Sequence, residues 1–438
     1  MSRPTPSRRS VLSAAALGAA GLGLAGCSIA GSSSGSGGSG GDASATLTFW
    51  DMPWGTPEYN EVGSEIIDEY APADGFGKAA YQTIQWNGFY QTFASAIASG
   101  TGPAVSSGAG FQAYQFAEQG AIAYADDVLA ALDSDPDIQF LDGLVDTLNS
   151  PDGHVAVPWQ IDVRPFWFNT ALLEEAGVSQ PTTWDELFDA GLALKKIGVS
   201  GFATGTGSGN NLGSHTMVAM MINNGGGLFD SDGAPDALNP ANVEAMEFVL
   251  ELVKEGIVDK GAVSFTQDNL DAQWNDRKAA IGIHTPGLSE RVAKVSDELV
   301  VGSPLASTSG TRAGLYFVNN LMMYTNTPSQ EASEAFLTYY LGQLHRYWEQ
   351  PVGVSLPALT AIADSDAFRA EPNRAKIVDE WVPVCSTYAA QKSESFAALA
   401  SVDGGQALAQ FAQTILQGSA SAKDALTTLQ SGLEEVAG

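Results

Sequence analysis

Residues 158–169 read PWQIDVRPFWFN and set three hydrogen-bonding side chains, Gln160, Asp162 and Arg164, two apart among Trp159, Ile161, Phe166, Trp167 and Phe168. In an extended chain alternate residues face opposite sides, so the trio shares one face. A buried, unpaired charge costs several kcal/mol, which makes an ordinary core strand an unlikely home for it. The segment is expected to form a wall, apolar on one side and polar on the other. Three more predicted strand ends carry similar groups: FWDMPW brings Trp50, Asp51 and Trp54, QWNGF brings Trp86 and Asn87, and SGAGFQ brings Gly108 and Gly110. Flat aromatic rings beside planar Asp, Asn, Gln and Arg side chains suit a ligand with C–H faces and a rim of hydroxyls. Trp159, directly after Pro158, is the preferred aromatic platform. The plainer alternatives are core tryptophans, an Asp162–Arg164 pair that satisfies only itself, and glycines that merely turn the chain.

The elements that would hold these residues alternate between strand and helix. TLTFWD, YQTIQWN and PAVSSG read as strands, with GSEIIDEYA, FYQTFASAIAS and FQAYQFAEQG as the helices between and after them. This order implies α/β units with parallel sheets, whose ligands lie beyond the carboxyl ends of the strands. Later, TWDELFDAGLALKKIG carries the capping pair Thr183–Glu186 and basic Lys195 and Lys196 in its last turn, and Trp184 reads as a packing residue. NPANVEAMEFVLELVKEG starts with Asn239 and Pro240, with Val243, Met246, Leu250 and Val253 as its inner stripe. RKAAIGIHTPG is a short strand running into a loop that offers His284 and Gly287, GLYFVNNLMMYTN is a longer strand, and SAKDALTTLQSGLEEV closes the chain as a helix capped by Ser421.

The 438 residues exceed one ordinary domain. The stretch 1–26 has Arg8-Arg9, an uncharged apolar run and LAGC, and resembles a twin-arginine export signal with a lipobox. Cys27 is then the expected lipidation site, and two or more acyl chains hold a protein stably on a bilayer. Residues 27–44 are a Gly/Ser-rich linker whose typical span is roughly 25 Å. Its GSSSG matches the serine-hydrolase elbow pattern, but no strand or helix flanks it. Removing the leader's three arginines takes the formal charge from −30 to −33, which disfavours nucleic acid and anionic lipid surfaces. With Cys27 lipidated, Cys385 has no disulfide partner and reads as a small buried hydrophobe. His154, His215, His284 and His345 lack ligand spacing, and Asp230, Asp232 and Asp236 lack the closing Glu of a calcium loop, so neither metal nor cofactor is expected.

The segment GHVAVPWQIDVRPFWFNTALLEEAGVSQPTTWDELFDA (153–190) resembles extracellular carbohydrate-binding proteins of bacterial ABC importers, the maltose-binding-protein-like family 1. Four further matches follow in the family's order: IASGTGPAV, with Ala104 where Asp is usual; FAEQGAIAYADDVL; NDRKAAIGIHTPG, with Pro286-Gly287 where Gly-Trp is usual; and VGVSLPAL. The resemblance spans roughly residues 45–436. It implies a two-lobed α/β fold of the type II periplasmic-binding class, each lobe a mainly parallel sheet flanked by helices, with three interlobe crossings. Lobe 1 would be 45–157 plus 285–342, lobe 2 165–284 plus 343–438, and the hinge would lie near 158–164, 283–286 and 341–350. The implied protein is a non-enzymatic monomer on the outer face of the cytoplasmic membrane, which captures a mono- or oligosaccharide and passes it to an ABC permease. Its expected contact set is Trp50, Asp51, Trp54, Trp86, Asn87, Gly110, Trp159, Asp162, Arg164, His284 and Gly287. The rivals are a secreted glycoside hydrolase or lyase, whose tryptophan-rich cleft would hold paired carboxylates, and a binding protein for a peptide or polyamine.

Overall fold

In the computed structural model, described over residues 42–437 apart from 87, 134, 137, 351 and 393, two sheets organise the chain. The expected leader, Cys27, most of the linker and Asn87 lie outside the described residues. The strands are β1 (Leu47–Asp51), β2 (Ala79–Thr83), β3 (Val105–Gly108), β4 (Ile122–Ala123), β5 (Asn149–Ser150), β6 (Gly153–His154), β7 (Val157–Val163), β8 (Phe166–Asn169), β9 (Ile281–Ile283), β10 (Leu299–Val301), β11 (Gly314–Tyr324), β12 (Leu356–Pro357) and β13 (Cys385–Ser386).

The larger sheet runs β12-β7-β11-β3-β1-β2, with β4 and β13 also pairing to β11. The expected parallel order holds among β1, β2 and β3, and β13 also lies parallel to β11. The long strand β11 is antiparallel to β3 and β7, and β7 is antiparallel to β12. The smaller sheet, β10-β8-β9, is antiparallel throughout, with isolated parallel bridges at Ser200–Ala279 and Ala203–Gly282. Strands β1, β2 and β3 are joined through helices, the kind of connection that parallel neighbours require.

Two of the expected boundaries fall within paired elements. The expected hinge residues 158–164 include most of β7, which lies in the larger sheet, and the chain leaves that sheet at Arg164–Pro165. Lobe 1 was expected to resume at 285, yet β10 pairs with β8 of the smaller sheet and Thr183 bridges Ala306. The larger sheet resumes at Gly314, where β11 begins.

The helices show the local chemistry that starts them. Thr183 accepts the Glu186 N–H, while the Glu186 carboxylate takes the N–H and hydroxyl of Thr182, one residue earlier than a capping box requires. Asn239 caps the helix Pro240–Lys254 through two N–H groups, but its buried face is Asn242, Ala245, Met246, Val249 and Leu252, rotated from the expected stripe. Ser421 accepts the Asp424 N–H at the last helix, with Leu426, Leu429 and Leu433 buried beneath it. The helices Leu212–Asn223, Pro240–Lys254, Ala407–Gln417 and Ala422–Ala437 pack on one another. Just ahead of them in the chain order of this block's last pair, Ala397–Asp403 leans across onto Gln112–Glu118, the helix that follows β3. No helix among the described residues is long and apolar enough to cross a membrane.

Candidate functional site

The alternation of β7 sorts its residues onto two faces. Trp159 points with Val157, Ile161 and Val163 into the core, 1% exposed, its ring centroid 6.3 Å from Tyr59, 6.2 Å from Tyr347 and 5.5 Å from Trp54. Gln160 and Asp162 point the other way. The preferred platform and the polar pair therefore occupy opposite faces, as the period of two requires.

Across from them β11 supplies Phe317 opposite Asp162 and Asn319 opposite Gln160, and an irregularity between Asn319 and Asn320 then sets Asn320 opposite Pro158. A bulge of this kind shifts the alternation by one, which brings two consecutive asparagines toward one face. Phe317 is the hub of that face. Its centroid lies 5.9 Å from Phe111, 4.9 Å from His215 and 5.3 Å from Tyr388, and the Arg164 guanidinium carbon stands 5.0 Å over its ring. Arg164 Nη1 pairs with Asp162 Oδ1 at 2.6 Å, and Arg164 Nε donates to His215 Nδ1 at 3.0 Å. Burial, reinforced by the Arg164 charge, holds the His215 pKa well below the ordinary histidine value.

Four buried amide atoms here lack a protein partner: Gln112 Nε2, both ends of Gln160, and Asn320 Oδ1. Gln112 uses its Oε1 on the Ala109 N–H, and Asn320 Nδ2 reaches the carbonyls of Ala109 and Gly110 at 3.4 Å. Buried polar groups are nearly always bonded, so these atoms call for a further partner, a water or a ligand. The set offers donors and acceptors without net charge. Trp159 Nε1 is also unpartnered, on the opposite face.

Other expected contacts have different surroundings. Asp51 is fully buried and both its oxygens are taken: Oδ1 accepts from Ser107 Oγ at 2.5 Å, Trp54 Nε1 at 3.1 Å and the Met52 N–H at 2.9 Å, and Oδ2 accepts from Tyr59 at 3.0 Å and Tyr81 at 2.9 Å. Burial pushes its pKa up to about 6, against those bonds. Asp51 thus orients Trp54, whose ring meets Trp86 edge-on at 4.6 Å. Trp86 is 38% exposed and anchored by its Nε1 on the Pro53 carbonyl. Trp50 is buried edge-on against Phe93 at 5.2 Å, in a smaller core cluster. His284 is buried with Asp271, Gln267 and Thr285 around its ring, and burial lowers its pKa. Gly287 faces the Gly353 carbonyl, and Gly110 backs onto Phe317 and Val318 with room for a Cβ.

Phe111, Gln112, His215, Phe317, Asn320 and Tyr388 were not singled out from sequence as contacts. Only the Asn319-Asn320 pair inside the apolar run GLYFVNNLMMY offered a signal, of the same kind as the polar trio in β7. Trp184 is a packing residue, buried with its Nε1 on Asn223. Asp230 closes a turn through the N–H groups of Asp232 and Ala234. Among the described residues no group of three or more His, Cys, Asp or Glu is placed to hold a metal.

Comparison with known proteins adds to this geometry. The profile of the bacterial extracellular solute-binding protein family matches residues 61–343. A sugar transporter from Arthrobacter chlorophenolicus, crystallised with bound laminaribiose, is 54% identical, with a TM-score of 0.85 over 89% of this chain and 99% of that one. Maltose-bound MalE3 of T. maritima shares the fold at 17% identity, with a TM-score of 0.74 over 89% of this chain and 99% of that one. A putative binding protein of Brucella abortus is 22% identical over 267 residues, 59% of this chain, and the match spans 63% of that relative's length.

Proposed function

Because the chain belongs to the family of bacterial extracellular solute-binding proteins, we propose that it captures a neutral disaccharide of the laminaribiose kind and hands it to an ABC permease. The observation that carries this reading is the uncharged, unpartnered amide set of Gln112, Gln160 and Asn320, buried beside Phe317 and Arg164. Sugar hydroxyls donate and accept equally well and satisfy such a mixture, whereas a polyamine would call for clustered free carboxylates. Carboxylates near this face are already engaged: Asp162 with Arg164, and Asp403 with two tyrosines. That also favours binding over hydrolysis, which needs two carboxyl groups flanking the scissile bond. The ligand bridges both lobes, and closure follows from its higher affinity for the closed state. The twin-arginine signal and Cys27 support export and lipid anchoring on the outer face of the cytoplasmic membrane, with the protein acting as a monomer.

Calorimetry and thermal shift with laminaribiose, cellobiose, maltose and spermidine test the proposal. Laminaribiose is expected to bind, to be recovered intact, and at a hundredfold excess over its Kd to stabilise the fold by about 2.7 kcal/mol. Stabilisation by spermidine alone, or release of glucose, would refute it.

A further inference from the structure

The Arg164–His215 contact fixes more than the position of the ring. A guanidinium has five N–H donors and no acceptor, so the 3.0 Å bond from Arg164 Nε can be received only by an unprotonated His215 Nδ1. A neutral imidazole with Nδ1 unprotonated carries its proton on Nε2. Arg164 is itself immobilised, by Asp162 at 2.6 Å, by the Val163 carbonyl at 3.2 Å and by the face of Phe317. His215 sits on the first turn of Leu212–Asn223, a helix buried along its whole length, and keeps 8% exposure. Among the described residues no group accepts a hydrogen bond from its Nε2.

We infer that His215 is a specificity-determining contact: its Nε2–H, set by Arg164, donates to an oxygen of the bound sugar. The inference rests on the sugar-binding reading above and assigns one donor within it. Asp162 and Arg164 then act as positioning residues, holding the tautomer rather than touching the ligand through His215's nitrogen. A neutral donor of fixed direction favours a hydroxyl or ring oxygen and offers nothing to a cationic ligand.

Nitrogen-15 spectra of the imidazoles in the wild-type protein at pH 7, with and without saturating laminaribiose, test this directly. The expected result is a pyridine-like Nδ1 that stays in place and an Nε2–H whose proton moves downfield on binding. A protonated Nδ1, or an Nε2–H unmoved by bound sugar, overturns the inference while leaving sugar binding intact. Two variants add an affinity readout. His215→Gln keeps an N–H near the Nε2 position and is expected to hold affinity within about threefold, whereas His215→Leu loses at least tenfold, as expected for a hydrogen bond that leaves a buried partner unpaired. Equal losses in both, with melting temperatures unchanged, also overturn it. Wild-type protein indifferent to laminaribiose, cellobiose and maltose would remove the sugar-binding reading beneath it as well.

Discussion

Asp51 has no exposed surface and five hydrogen bonds, and its titration is tied to folding. Burial dominates and raises its pKa to about 6 in the folded chain, from 3.8 when exposed. A raised carboxyl pKa means the folded state holds the proton longer, so this contribution to stability is complete below pH 3.8 and is lost as pH rises through about 6. Each pH unit between the two values is worth about 1.4 kcal/mol, or about 3 kcal/mol over the window. Urea melts should therefore find Asp51→Asn further below wild type at pH 4.5 than at pH 7.5; an equal gap at both would show that Asp51 does not titrate this way. The residue's type and its place at the end of β1 were legible in the sequence, and so were the tryptophans. Its donors were not, because Tyr59, Tyr81 and Ser107 arrive from separate elements whose packing no local pattern encodes.

At the scale of the element, β7 illustrates both what alternation reveals and what it was overruled on. The pattern VPWQIDV already groups Trp159 with Ile161 and Val163, and the structure buries all three. Reading Trp159 as a platform because it follows Pro158 set position above period. Trp159→Ala should cost about 3–5 kcal/mol of stability by denaturant titration, as expected for a buried tryptophan. Laminaribiose affinity of the folded fraction should change by less than about threefold. A stable variant without affinity would return Trp159 to the contact set. The sheet's antiparallel half was not legible, because β11 pairs with β7 and β3 from more than 150 residues away, through a bulge whose register depends on both partners.

Across the whole molecule, one carboxylate joins segments far apart in the chain. Tyr90, on the helix Phe89–Ala98 beside the larger sheet, donates to Asp403 Oδ2 at 3.1 Å, and Tyr388 donates to Oδ1 at 3.0 Å. A Cβ at Gly404 would lie 2.9 Å from the Tyr90 ring, so the glycine lets the ring rest on the backbone. A hydrogen bond to a charged group contributes about 1.5–3 kcal/mol. Tyr90→Phe should then weaken laminaribiose binding about tenfold or more, and small-angle scattering of the sugar-loaded variant should report a larger radius of gyration than wild type. Unchanged affinity and radius would show that the contact plays no part in closure.

That shared carboxylate also bears on time. In the two-lobed reading proposed above, opening along this seam would strip Asp403 of a phenol, so part of the barrier to release would lie in the protein itself and part in the cargo's own contacts.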